Sequence, residues 1–87
     1  MKRIMKKTPR LIEILAHLYN EDCKDNYLSI TLLAHDLRMS YDNAWKLVGS
    51  LEEYSFITIF KDKNKKVIKL TNLGLFKGEM AYKLLEV

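Results

Sequence analysis

Residues 29–57, SITLLAHDLRMSYDNAWKLVGSLEEYSFI, hold two helix starts with almost no chain between them. Ser29 is an N-cap residue type, whose side-chain oxygen accepts a bond from a free backbone N–H of the first helical turn. Behind it Ile30, Leu33, Ala34 and Leu37 recur at three- and four-residue spacing, which predicts a helix of about nine residues with one apolar face. Arg38 and Met39 then lead straight into Ser40, a second N-cap. Ala44, Leu47, Val48 and Leu51 mark the buried side of the helix that follows, which runs to about Tyr54. Two helices joined by so tight a turn form a helix-turn-helix candidate.

Downstream the period changes from helical to two. Phe56-Ile57-Thr58-Ile59-Phe60 and Val67-Ile68-Lys69-Leu70 read as the strands of a β-hairpin. The connecting residues 61–66 contain the turn formers Asp62 and Asn64 and project Lys61, Lys63, Lys65 and Lys66 into solvent. Thr71 then caps a last helix to Val87. Leu73, Phe76, Met80, Leu84 and Val87 form one apolar stripe on it, and Leu75, Ala81, Tyr82 and Leu85 spread beyond that stripe. Upstream, residues 1–7 are a basic arm, and Thr8 with Pro9 starts a first helix carrying Leu11, Ile14, Leu15 and Leu18 on one side. It ends in the polar run Asn20 to Asn26, and Tyr27-Leu28 allows a short strand. No internal repeat or low-complexity linker interrupts this order.

A chain of 87 residues has room for one core, and 48% apolar with 30% charged residues suits a folded protein. The net charge of +4 is unevenly placed: of 15 basic residues, Lys2, Arg3, Lys6, Lys7 and Arg10 lie in the first ten positions, and Lys61, Lys63, Lys65, Lys66 and Lys69 lie close together near the end. Such clusters suit a polyanion, because neutralised phosphates release counterions; a solvated surface is the competing reading. The single cysteine, Cys23, forms no intramolecular disulfide, so a reducing compartment is expected. With no signal-like or membrane-spanning apolar run, a cytoplasmic location away from the membrane is expected. His17 and His35 have no nucleophile and carboxylate arranged around them, Cys23 is not at ligand spacing from His17, and no glycine-rich phosphate loop occurs. No enzyme activity, metal or cofactor is expected.

The stretch 29–57 resembles winged helix-turn-helix regulators of the MarR and ArsR type. Their pattern is Leu-Ala-x-x-Leu, a turn, Ser, then Leu-Glu-x-x-Gly-hydrophobic. It is matched by Leu33-Ala34 with Leu37, by Ser40, by Leu51-Glu52-Glu53 and by Phe56-Ile57. Leu70-Thr71-Asn72-Leu73-Gly74 is similar to the Leu-Thr-x-x-Gly that follows the wing in many members. Arg38 and Ser55 stand where glycines are usual, so either those turns differ or the two residues adopt left-handed backbone at some cost. Small lysine-rich winged helices of this style also resemble those carried by archaea, their plasmids and their viruses.

The resemblance implies an α+β, mainly α, fold: a winged helix-turn-helix with a three-helix core, a β-hairpin wing and a C-terminal dimerisation helix. Residues 1–7 would be the arm, 8–70 the winged domain and 71–87 the dimerisation element. It also implies a transcription regulator that binds double-stranded DNA as a homodimer. The helix 40–54 would enter the major groove, and the wing 61–66 would lie on the backbone or in the minor groove. Ser40, Tyr41, Asp42, Asn43, Trp45, Lys46 and Ser50, with Arg38 from the turn, are then the expected contacts, and Gly49 would let the helix sit close. Asn43 suits adenine and Lys46 suits guanine or phosphate. Asp42 and Glu53 bring negative charge to that face, and Trp45 is expected chiefly to close the core edge. Lys61, Lys63, Lys65 and Lys66 are the expected phosphate clamp, with the arm and Arg10 as a second. Leu73, Phe76, Met80, Leu84 and Val87 are expected at the dimer interface, the alternative being that they pack on the first helix. A protein-interaction module and a non-specific architectural DNA binder are the competing functions.

Overall fold

The computed structural model describes residues 8–86. Helix α1 spans Thr8–Cys23, α2 Ile30–Asp36 and α3 Tyr41–Glu53; strands β1 (Ile57–Asp62) and β2 (Lys65–Leu70) follow, and α4 covers Asn72–Glu86. This is the winged helix-turn-helix order. Both serine caps act as expected: Ser29 Oγ accepts from the N–H of Leu32 at 3.2 Å and Ser40 Oγ from that of Asn43 at 3.1 Å. The helices are slightly shorter than the apolar pattern suggests, because Leu37 and Tyr54 serve as C-caps.

One core unites the elements. Ile14 of α1, Ile30 and Leu33 of α2, Val48 and Leu51 of α3, Ile57 of β1 and Ile68 of β2 are almost wholly removed from water. Each contributes about 1.5–3 kcal/mol of burial, which is what holds α3 to the other helices and to the hairpin. Two polar ties add direction. Arg10 pairs with Glu13 and donates to the Leu37 carbonyl at 2.7 Å, and His17 Nε2 lies 3.0 Å from Asp36 Oδ2. Both fix the end of α2 against α1, so the Arg10 guanidinium expected in the second clamp is also paired within the fold. Lys2, Arg3, Lys6 and Lys7 lie outside the described residues.

The hairpin departs from its sequence reading in length. The strands pair from Ile57↔Leu70 to Asp62↔Lys65, so only Lys63 and Asn64 form the turn, and Lys61, Lys65 and Lys66 are strand residues. Phe56 precedes β1. The short strand expected at Tyr27-Leu28 reduces to one bridge, Ser29 to Val67, with the Leu28 carbonyl accepting from Ile68 at 2.9 Å.

Helix α4 packs on α1 through its small residues. Gly78 and Ala81 turn inward there with Leu75 and Tyr82 beside them, while Gly74, one turn earlier, faces the Phe56 carbonyl and Leu70. A Cβ on Gly78 would lie 2.9 Å from the Tyr19 Cβ and 3.3 Å from the Leu15 carbonyl, so the two helices meet almost backbone to backbone. The stripe of Leu73, Phe76, Met80 and Leu84 therefore does not pack on α1; these side chains are 45–61% exposed. Val87 lies outside the described residues.

Helices α1, α2 and α3 all end the same way. Asp25, Arg38 and Ser55 have φ of 58°, 55° and 66°. At each, paired bonds close the last turn, for α3 from Ser55 N to Glu52 O at 2.9 Å and from Phe56 N to Leu51 O at 3.0 Å. That geometry ordinarily takes glycine, because left-handed backbone strains an L side chain by about 1–2 kcal/mol. Arg38 and Ser55 thus keep the usual turns at a cost in strain. Ser55→Gly is expected to stabilise the protein by about 1 kcal/mol, raising Tm by roughly 4–8 °C in a calorimetric scan. An unchanged or lower Tm would show that Ser55 is not strained.

Candidate nucleic-acid interface

The outward face of α3 begins at its cap. Ser40 Oγ accepts from the Asn43 N–H, which shapes the helix start and leaves the hydroxyl proton to donate to a partner. Tyr41, Asp42, Asn43, Trp45 and Lys46 follow as exposed residues on the first turn and a half. Asp42 has a local reason to be there, since a carboxylate in the first helical turn complements the helix dipole. Gly49 and Ser50 continue the surface, and Ser50 Oγ donates to the Lys46 carbonyl at 3.3 Å. A Cβ added to Gly49 would meet nothing within 4 Å, so packing does not require this glycine. Glu53 is exposed at the far end.

Two hollows flank this helix. One, of about 580 Å³, is lined by Arg38, Ser40, Asn43, Lys46 and Ser50 together with residues of α1, and it gathers five of the expected contacts on one side. The other, of about 350 Å³, lies between the starts of α2 and α3 and the hairpin tip, with Tyr41, Thr31, Asn64, Lys65 and Lys66 on its walls.

Strand alternation divides the wing lysines. Lys61 pairs with Lys66 on the hairpin face that also carries Ile57, Ile59, Ile68 and Leu70; Lys65 and Lys69 point to the opposite face, and Lys63 sits in the turn with φ 59°. All five are exposed. Lys69 lies over the Tyr27 ring, 5.6 Å from its centroid.

Trp45 is not where the sequence puts it. It is 41% exposed, its ring lies parallel to Tyr41 with centroids 6.4 Å apart, and the Lys66 Nζ sits 4.4 Å from its centroid. Of α3 and β1, Leu47 and Ile59 are partly buried against the core, and Trp45 is not among the side chains packed there. The sequence carries one signal for this arrangement, since Tyr41 and Trp45 are four apart and so share a helix face. Nothing local points to Lys66 as their neighbour.

Among the described residues no three His, Cys, Asp or Glu side chains converge as a metal site, and no helix is long and apolar enough to cross a membrane. What the surface does offer is an exposed helix with polar, aromatic and basic side chains, set beside a lysine-bearing hairpin.

A helix-turn-helix whose second helix is exposed, followed by a basic hairpin and a helix packed back on α1, defines a winged-helix protein of the kind found in DNA-binding regulators. MarR-family regulators of known structure share this fold over most of the chain. MepR of Staphylococcus aureus in its DNA complex superposes with a TM-score of 0.78 at 22% identity, over 88% of this chain and 56% of MepR. The haem sensor PefR of Streptococcus agalactiae gives 0.72 at 31% identity, over 90% of this chain and 55% of PefR. AF1382 of Archaeoglobus fulgidus gives 0.83 at 20% identity, over 95% of this chain and 89% of AF1382. The chain thus spans little more than half the length of MepR and PefR, and nearly all of AF1382. No protein-family model and no curated protein sequence matches the chain.

Proposed function

We propose that the protein is a transcription regulator that binds double-stranded DNA as a homodimer, with α3 in the major groove and the β1–β2 wing on the phosphate backbone or in the adjacent minor groove. The observation that carries this reading is the joint surface of α3 and wing. Arg38, Asn43, Lys46 and Ser50 share one hollow, and Lys61 and Lys66 continue the hairpin face that the core holds toward the helix. A helix of this width fits the major groove, where Asn and Lys match adenine and guanine edges. The fold shared with MepR, a regulator crystallised on DNA, supports the same docking.

The exposed stripe of Leu73, Phe76, Met80 and Leu84 supports the dimer, because four large apolar side chains in a row gain by leaving water. A two-fold pair would set two α3 helices on half-sites about 34 Å apart and select a palindrome. Asp42 and Glu53 favour a second reading, non-specific architectural binding, since carboxylates on the reading face weaken contact with most base edges.

A titration with the chain's own upstream DNA and with random duplex, at two salt concentrations, separates these functions. Regulation requires salt-sensitive binding and preference for the upstream duplex; equal affinity supports the architectural role, and no binding at low salt ends both. Sedimentation of Phe76→Glu with Leu84→Glu tests the dimer. The double variant is expected to run as a folded monomer where the wild type runs as a dimer, and a monomeric wild type would overturn this part of the proposal.

A further inference from the structure

The base of the hairpin is well anchored. Ile57, Ile68 and Leu70 are buried, the Leu28 carbonyl accepts from Ile68, and the Phe56 carbonyl accepts from Thr71. Its outer part is different, since every residue from Phe60 to Lys66 is exposed and the last bridge to the body of the protein is that of Val67 to Ser29. A two-stranded ribbon in water has little stiffness of its own. The Lys66 ammonium nevertheless lies on the Trp45 ring, within the range of a cation–π contact, and Trp45 is braced by Tyr41 one turn earlier.

We propose that Trp45 is a positioning residue for the wing. Its indole face holds the Lys66 ammonium, and with it the outer half of the hairpin, at a set distance from α3. Helix and wing then present one preformed surface, and the ordering of the ribbon is complete before a duplex arrives. Preorganisation of this kind strengthens binding without adding a contact. The consequence for DNA rests on the function proposed above, whereas the latch itself belongs to the free protein. Trp45 carries no charge, so its removal leaves the count of phosphate contacts intact. Loss of Lys66 removes both the latch and a cation.

Two measurements test this. In the free protein, the indole ring current is expected to shift the Lys66 side-chain methylene protons upfield of those of Lys65. The shift should vanish in Trp45→Ala and persist in part in Trp45→Phe; equal shifts for the two lysines in the wild type would overturn the latch whatever the DNA result. With random duplex, Trp45→Ala is expected to weaken binding about two- to fivefold with an unchanged salt slope. In a Lys66→Ala background, Trp45→Ala should then cost nothing more. An equal loss in both backgrounds would mean that Trp45 touches DNA itself and would overturn the positioning role. Should no duplex bind at all, the function proposed above fails while the proton shifts still decide the latch.

Discussion

Replacing Gly74 by alanine is expected to destabilise the protein by about 3 kcal/mol or more, lowering Tm by at least roughly 12 °C in a circular dichroism melt. A Cβ at this position would lie 1.7 Å from the Phe56 carbonyl oxygen and 2.8 Å from its carbon. Both are backbone atoms, so no rotamer change makes room. An ordinary C···O contact is about 3.3 Å, and the start of α4 would have to retreat from the α3–β1 junction to reach it. Three bonds oppose that retreat. Thr71 N donates to the same Phe56 oxygen at 3.0 Å, Thr71 Oγ1 donates to the Ser55 carbonyl at 2.6 Å, and Gly74 N donates to Thr71 Oγ1 at 3.0 Å. The Leu-Thr-x-x-Gly segment is thus a lashing, in which the threonine ties and the glycine permits the approach. Gly49→Ala is the matching control, since that site in the middle of α3 has nothing within 4 Å. There alanine is expected to stabilise by about 0.5–1 kcal/mol through helix propensity alone. A Gly74→Ala protein melting within a few degrees of wild type would show that the junction yields and that the lashing is slack.

That lashing illustrates what a sequence can and cannot display. The residues of Leu70-Thr71-Asn72-Leu73-Gly74 are visible in one dimension, but the reason for the glycine is a carbonyl 18 positions away. The serine caps were legible because capping is local: Ser29 and Ser40 bond three residues ahead, within their own turn. The left-handed caps at Arg38 and Ser55 were half legible, as places where glycine was missed, and the structure supplies the positive φ. The length of the hairpin was not legible. Its outer residues are lysine and aspartate on both faces, so the alternation that reveals a half-buried strand is absent from Lys61 to Lys66. The inner face of α4 was hidden for the opposite reason. Apolar patterning gives weight to large side chains, whereas close helix contact selects Gly78 and Ala81, so the conspicuous stripe is the face left over. Trp45 was misplaced by the same weighting of size. Arg10 with Leu37 and His17 with Asp36 join residues 27 and 19 apart, and no local rule anticipates either.

The largest functional effect is expected from the wing. Changing Lys61, Lys63, Lys65 and Lys66 together to alanine should weaken binding to random duplex on the order of 100-fold near 0.1 M salt, because each phosphate contact adds about 0.9 to the slope of log K against log salt. All four side chains are exposed, and alanine keeps the ladder bonds of the ribbon, so the far-ultraviolet spectrum should not change. The four are not equivalent. A ribbon lying on a duplex turns one face to it, and Lys61 and Lys66 share the face directed along α3, while Lys65 is on the other. The pair Lys61→Ala with Lys66→Ala is therefore expected to remove about 1.8 from the slope, and Lys65→Ala much less. Asp62, cross-strand from Lys65, adds to that inequality, since it places a carboxylate on the face with fewer consequences for phosphate. Fluorescence anisotropy at four or more salt concentrations reads both numbers. A slope unchanged in the fourfold variant would move the phosphate contacts to other cations and end the wing's role as a clamp. Equal losses from Lys65→Ala and from the pair would mean that the ribbon enters the duplex edge-on, with lysines of both faces in contact with phosphate.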